Sequence, residues 1–174
     1  CEWSGGLKAG NGQHGNGHKP KPTPKPNYST KKGLSEKARI WFHERRITNE
    51  VLERNKITDG PVWMPQVEKE VNAIQFPYIK NGEVVNVKYR DSSKNFKMIK
   101  DAERILYGYD NIEGDTLIWT EGEIDKLSVE VAGLTSCVSV PNGAADKLDF
   151  LESIEERLKE IKVHVLVLDN DEPG

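Results

Sequence analysis

The chain has 174 residues, 36% hydrophobic and 30% charged, with a net charge of -3, which suits one domain plus some irregular sequence. That balance excludes binding to nucleic acid through bulk positive charge, and no apolar run approaches the roughly 18 residues of a membrane span. The cysteines are Cys1 and Cys137 alone, which excludes a disulfide framework and favours a reducing compartment.

The first residue is Cys rather than Met, and the last falls just after an acidic motif, as expected of a piece of a larger protein. Residues 1–32 carry six Lys against one Glu, so the remainder is more acidic than the average. The run GNGQHGNGHKPKPTPKPN makes residues 10–30 a flexible linker. Its Lys-Pro alternation favours extended polyproline and cannot build a core. His14 and His18 lie among glycines, so their spacing is not that of a helical metal pair.

Ser35 reads as the N-cap of a helix carrying Ala38, Trp41 and Phe42 on one face, and Thr48 as the cap of a second, Asn49 to Arg54. A β-hairpin follows: Ile74 to Ile79, the turn Asn81-Gly82, and Glu83 to Arg90. Asn-Gly is a strong hairpin signal because both residues tolerate positive φ. On the second strand Val85, Val87 and Tyr89 share one face, and Val84, Asn86, Lys88 and Arg90 the other. Residues Asp91 to Phe96 read as a polar loop, with Lys94 and Lys97 bracketing Phe96.

From residue 116 the pattern alternates. Strands are expected at Leu117 to Thr120, Cys137 to Val140 and Val163 to Leu168, with helices at Ile124 to Ala132 and Asp146 to Ile161. This order implies a parallel sheet with helical crossovers. Cys137 then sits in a strand as a buried, inert thiol.

In a parallel sheet, ligands gather at the C-terminal ends of the strands. Glu121 ends one such strand, and Asp169 and Asp171 follow another. Positions i and i+2 of a strand project together, so Asp169 and Asp171 form a pair. Two carboxylates about 4 Å apart repel by roughly 4 kcal/mol at an effective dielectric of 20. A cation, a proton or solvent separation must relieve that, and bound Mg²⁺ does so while taking phosphate oxygens as further ligands. Glu121 reaches the same ions or acts as a base, and Gly122 lets the backbone turn sharply. Each segment alone is as well read as a polar turn or a helix cap, and Glu123 and Asp125 suit a helix N-terminus in any case. Their order on successive strands favours the metal site. The cations Lys88, Arg90, Lys94 and Lys97, with Phe96 among them, form a second constellation in which bases stack while Lys and Arg hold phosphates.

The runs TEGEID, SVPNGA and LDNDEPG resemble the Toprim fold of primases, topoisomerases and some nucleases. With GEVVNVKYRDSSKNFK, ILYGYDNI and WFHERRITNEVLERNKI, the chain from about residue 34 resembles the primase half of phage-type primase-helicases, relatives of mitochondrial Twinkle and of bacterial replicative primases. The resemblance implies a Toprim-type α/β parallel sheet flanked by helices over residues 111–174, truncated at its C-terminus. A smaller α+β subdomain with a hairpin precedes it at 31–110, and CEWSGG places the tail of a zinc ribbon at 1–9. The implied activity is primase-type nucleotidyl transfer, making short RNA primers on single-stranded DNA from nucleoside triphosphates with Mg²⁺ or Mn²⁺. Glu121 becomes the catalytic carboxylate, Glu121, Asp169 and Asp171 the metal ligands, and Lys88, Arg90, Lys94 and Lys97 the nucleotide and template groove. Asp125 matches the motif's trailing acid, and Asn142 and Gly143 support the site from a strand-end turn. Cys1 alone cannot hold zinc, so zinc is expected only in the full-length parent. The resemblance also implies a replicative helicase domain as partner, no membrane, a monomer as isolated fragment, and a bacterial cytoplasm as the setting of a phage or prophage gene. The Gly common after Arg in the helical segment is Arg46 here. A non-catalytic, Twinkle-like nucleic-acid-binding module and a Toprim nuclease or topoisomerase remain as alternatives.

Overall fold

A computed structural model describes residues 23–29, 33–141 and 148–169. The expected zinc-ribbon tail, most of the linker, and the site candidates Asn142, Gly143 and Asp171 lie outside the described residues.

Two short helices, α1 (Glu36–His43) and α2 (Asn49–Arg54), lead into a four-stranded antiparallel sheet of β1 (Thr58–Met64), β2 (Lys69–Lys80), β3 (Glu83–Asp91) and β4 (Phe96–Met98), in that order. Ser35 caps α1, its Oγ accepting from the Ala38 N–H at 3.3 Å. The β2–β3 turn has Asn81 at φ 54° and Gly82 at φ 80°, the two positive values that its sequence demanded. Asp110 binds this turn, accepting from the Asn81 and Gly82 N–H groups at 2.8 and 2.7 Å.

Two strands were not anticipated. β1 contains Gly60 and Pro61, which read as breakers, but β1 lies at the sheet edge, where proline is tolerated. Pro77 of β2 pairs with Val87 beyond the point where β1 ends opposite Gln75. β4 begins at Phe96, the last residue of the expected polar loop Asp91 to Phe96, and runs on to Met98.

The parallel sheet is β5 (Thr116–Thr120), β6 (Cys137–Ser139) and β7 (Val163–Val167), with β5 in the centre. Both pairings are parallel, as expected. Helix α3 (Glu123–Val131) joins β5 to β6. The expected long helix at Asp146 to Ile161 is instead a 3-10 segment, Leu148–Ile154, followed by the single turn α4, Glu155–Leu158. Ile154 breaks the run at φ -125°, ψ 5°. Leu151 and Ile154 stand three apart, a spacing that a 3-10 helix also puts on one face.

One hydrophobic core runs through both sheets. It joins Phe42, Val51, Leu52, Phe76 and Tyr78 of the N-terminal part to Leu117, Leu127, Val138 and Ile154 of the parallel part. Ile105, Leu106 and Tyr107 sit between them, fully buried, and Tyr107 exchanges both backbone hydrogen bonds with Ser139 at 3.0 Å. Residues 23–29 of the expected linker are partly docked. Tyr28 donates to the Lys56 carbonyl and accepts from Thr58 Oγ1 at 3.1 Å, and burial raises its hydroxyl pKa to about 12.

Candidate active site

Parallel pairing sets Thr120 of β5 opposite Val167 of β7, so residues just past these strands meet at one end of the sheet. Glu121 and Asp169 do meet there: the Asp169 N–H donates to Glu121 Oε1 at 2.8 Å. The contact ties two acidic segments 48 residues apart in sequence. Glu121 is half-buried and Asp169 exposed.

Gly122 is the N-cap of α3, with Glu123 and Asp125 in the first turn. Asp125 curls back over the cap and accepts from the Gly122 N–H, the acidic half of a capping box. A Cβ on Gly122 would lie 2.8 Å from Asp125 Oδ2, so a larger residue there would push the Asp125 carboxylate aside. Partial burial, and then the neighbouring Asp169 charge, push the Asp125 carboxyl above its ordinary value despite its bond to Gly122. Asp125 and Asp169 therefore stand close enough to repel.

Glu123 was assigned from sequence only to a helix terminus, and its partners come from the other sheet. Its Oε1 accepts from Tyr78 Oη at 2.6 Å and from Lys88 Nζ at 2.9 Å. Lys88 also donates to the Pro141 carbonyl at 3.1 Å. The side chains of Lys88 and Glu123 are 12% and 5% exposed, so the ion pair is largely removed from water. No spacing signals it, because 35 residues separate the partners.

The four expected cations do not share one face. Register places Lys88 opposite Met98 and Arg90 opposite Phe96, so these lie on one side, with both cations within 6 Å of the Phe96 ring centre, at 5.3 and 5.9 Å. Lys97 lies opposite Tyr89 on the other side and donates to the Trp63 carbonyl at 2.8 Å. Lys94 is exposed, at φ 62° in the β3–β4 turn. Arg90 also stacks on Trp41, 4.7 Å from its ring centre, and Arg45 approaches the same ring at 3.7 Å. Arg90 and Trp41 border an open groove of about 550 Å³ between α1 and the sheet, lined also by Lys37, Asp59 and Asn72 but by none of Glu121, Asp125 and Asp169.

Behind the site, α3 is fastened to α2. Fully buried Lys126 donates to Asn55 Oδ1 at 2.6 Å and pairs with Glu130, while Asn55 Nδ2 donates to Glu130 Oε2 at 2.6 Å. Burial pulls Lys126 below the usual lysine range, and the Glu130 charge opposes it. Cys137 is buried, with its thiol raised to about 11 chiefly by burial, in keeping with an inert side chain.

The donors Glu121, Asp125 and Asp169 are hard carboxylate oxygens, which suit Mg²⁺ or Mn²⁺. Among the described residues no group of three His, Cys, Asp or Glu side chains is close enough to hold a metal ion; Asp171 is outside them. No described helix is long and apolar enough to cross a membrane.

No protein-family model matches the chain. It is 36% identical over 156 residues to the Twinkle homolog protein, chloroplastic/mitochondrial, of Arabidopsis thaliana, and 33% identical over 156 residues to the primase homolog protein of the same plant. Each match covers 81% of this chain, which spans 21% and 44% of those relatives. Among solved structures, the primase fragment of the bacteriophage T7 primase-helicase protein has a TM-score of 0.61 at 26% identity, over 76% of this chain and 54% of that one. The parallel sheet beside an antiparallel hairpin sheet thus matches the architecture of primase cores, and this chain is homologous to the Twinkle homolog and primase homolog proteins.

Proposed function

We propose that this chain is the Toprim-containing core of a DNA primase, joining nucleoside triphosphates into short RNA primers on a single-stranded DNA template. The observation that carries the reading is the bond from Asp169 to Glu121, with Asp125 alongside. It brings acids from two strand ends to the place where a parallel sheet binds phosphates. In transfer, the 3′-oxygen of one nucleotide bonds to the α-phosphorus of the next as the bond to pyrophosphate breaks. Glu121, with Asp169 and Asp171, would hold Mg²⁺ or Mn²⁺, which when bound neutralises phosphate charge. Glu121 would take the hydroxyl proton. Lys88 and Arg90 face phosphates on the Phe96 side of the hairpin, and a base stacks on Phe96, which is 44% exposed. Lys94 and Lys97 contact the template backbone from the far side of the hairpin. A replicative helicase domain completes the machinery.

Glu121→Gln is expected to abolish primer synthesis from labelled ribonucleotides with Mg²⁺ while leaving the fold intact by circular dichroism. Near-wild-type synthesis by the variant sinks the assignment. Template binding without product from the wild-type chain would assign a non-catalytic binding module instead.

A further inference from the structure

Among the acids beside the parallel sheet, Glu123 differs from its neighbours in how its carboxylate is used. One oxygen already receives two donors, Tyr78 Oη and Lys88 Nζ, and the side chain is 5% exposed. The donors stand on neighbouring strands, Tyr78 on β2 and Lys88 on β3. Glu123 opens α3, the helix that follows Glu121. An ammonium has three protons to donate. Glu123 and the Pro141 carbonyl take two of those of Lys88, leaving one for a ligand.

We infer that Glu123 is a positioning residue for Lys88 rather than a metal ligand: it clamps the lysine at the junction of hairpin and acidic cluster, so that its remaining N–H meets a single phosphate oxygen of a bound nucleotide. The inference rests on the phosphate role proposed for Lys88. It divides the motif Glu121-Gly122-Glu123-Ile124-Asp125 by function. Glu121 and Asp125 face the Asp169 side, where Glu121 accepts from the Asp169 N–H and Asp125 is repelled by the Asp169 charge. Glu123 faces the hairpin, where its charge is matched. A flexible lysine would lose side-chain entropy on each binding event, and the clamp removes that cost in advance.

The test uses the whole chain and two probes, Mn²⁺ followed by electron paramagnetic resonance and a fluorescent ATP followed by anisotropy. Glu123→Gln, which keeps an oxygen for Tyr78, Lys88→Met and the double variant are compared with Glu121→Gln. The expected result is that Glu123→Gln leaves Mn²⁺ affinity within about twofold but weakens ATP by about tenfold, the loss of one charge-assisted contact. Lys88→Met does the same, and the double variant is no weaker than Lys88→Met alone. A Glu123→Gln variant that loses Mn²⁺ as fully as Glu121→Gln would overturn the inference by making Glu123 a ligand. So would ATP losses that add in full in the double variant, or a wild-type chain that ignores millimolar ATP. If Glu121→Gln instead leaves Mn²⁺ binding unchanged, the proposed metal site fails while the ATP comparison still decides the clamp. Should Glu123→Gln unfold, Glu123→Asp, with a shorter reach to Lys88, is expected to keep Mn²⁺ and lose ATP affinity; retained ATP affinity would overturn the clamp.

Discussion

At the scale of single residues, the helix ends show where this chain carries strain. Helices α1, α2 and α3 each finish in the same motif. The Ile47 N–H returns to the Phe42 carbonyl, that of Ile57 to Leu52 and that of Leu134 to Val129, at 3.1, 3.1 and 3.4 Å. The residue before each return is left-handed: Arg46 at φ 62°, Lys56 at φ 52° and Gly133 at φ 86°. Glycine takes that conformation freely, and other residues do so at a cost. Arg46→Gly is therefore expected to stabilise the chain by about 0.5–1 kcal/mol, after the greater flexibility of unfolded glycine is counted. Urea unfolding would show a higher midpoint with an unchanged slope; an equal or lower midpoint would mean that Arg46 makes compensating contacts.

Asp125 gives the opposite sign of argument. Its carboxyl is raised in the folded chain by partial burial and by Asp169, so the folded state holds a proton that the unfolded state has released. Stability from this group is then greatest below the ordinary carboxylate range and declines as pH rises through the raised value. Asp125→Asn should raise the metal-free Tm at pH 7 and leave it unchanged near pH 3. A lower Tm at pH 7 would show that the bond to Gly122 outweighs the repulsion.

At the scale of elements, the buried group behind α3 makes a sharper prediction. Lys126 and Glu130 are one helical turn apart and fully buried, and Asn55 of the α2 C-terminus bridges them. Glu130→Ala would leave the fully buried Lys126 without an opposite charge, so it is expected to cost about 3–5 kcal/mol in urea unfolding. Replacing both, Lys126→Met with Glu130→Leu, should cost far less because no lone charge remains. Equal losses would locate the energy in packing instead. Gly108 belongs to the same arrangement, since a Cβ there would fall 2.6 Å from Lys126 Cε and 2.8 Å from the Cys137 carbonyl.

The elements also show what a sequence reveals. Local chemistry was legible: the Asn81-Gly82 turn, the Ser35 cap, the β5–α3–β6 alternation and the meeting of Glu121 with Asp169 follow from residues close in sequence or from the rule for strand ends. β1 was hidden because its glycine and proline are acceptable only at an edge, which topology alone defines. The split of the last helical region was hidden because three-residue spacing fits two helix types. Glu123 was hidden because its partners, Tyr78 and Lys88, come from another sheet. The placing of Lys97 away from Lys88 needed the β3–β4 register.

At the scale of the whole molecule, the question is whether two sheets make two folding units. The described residues argue for one. The core passes without a break from Phe42 and Phe76 through Tyr107 to Leu117 and Val138, and Tyr107 forms an isolated antiparallel bridge to Ser139 of β6. Polar ties cross the same boundary: Lys88 and Tyr78 to Glu123, and Asn55 to Glu130. Trp41 reports α1 through its stacking with Arg45 and Arg90, and Trp119 reports the parallel sheet through its bond to His164 at 2.9 Å. In variants that keep Trp41 or Trp119 as the only tryptophan, thermal unfolding should give coincident transitions. Phe42→Ala, at a position with 0% exposure, should cost about 3–5 kcal/mol and lower both transitions equally. If Trp119 held its transition while Trp41 shifted, the sheets would be separate units, and the Lys88–Glu123 contact would be a docking contact between them rather than part of one fold.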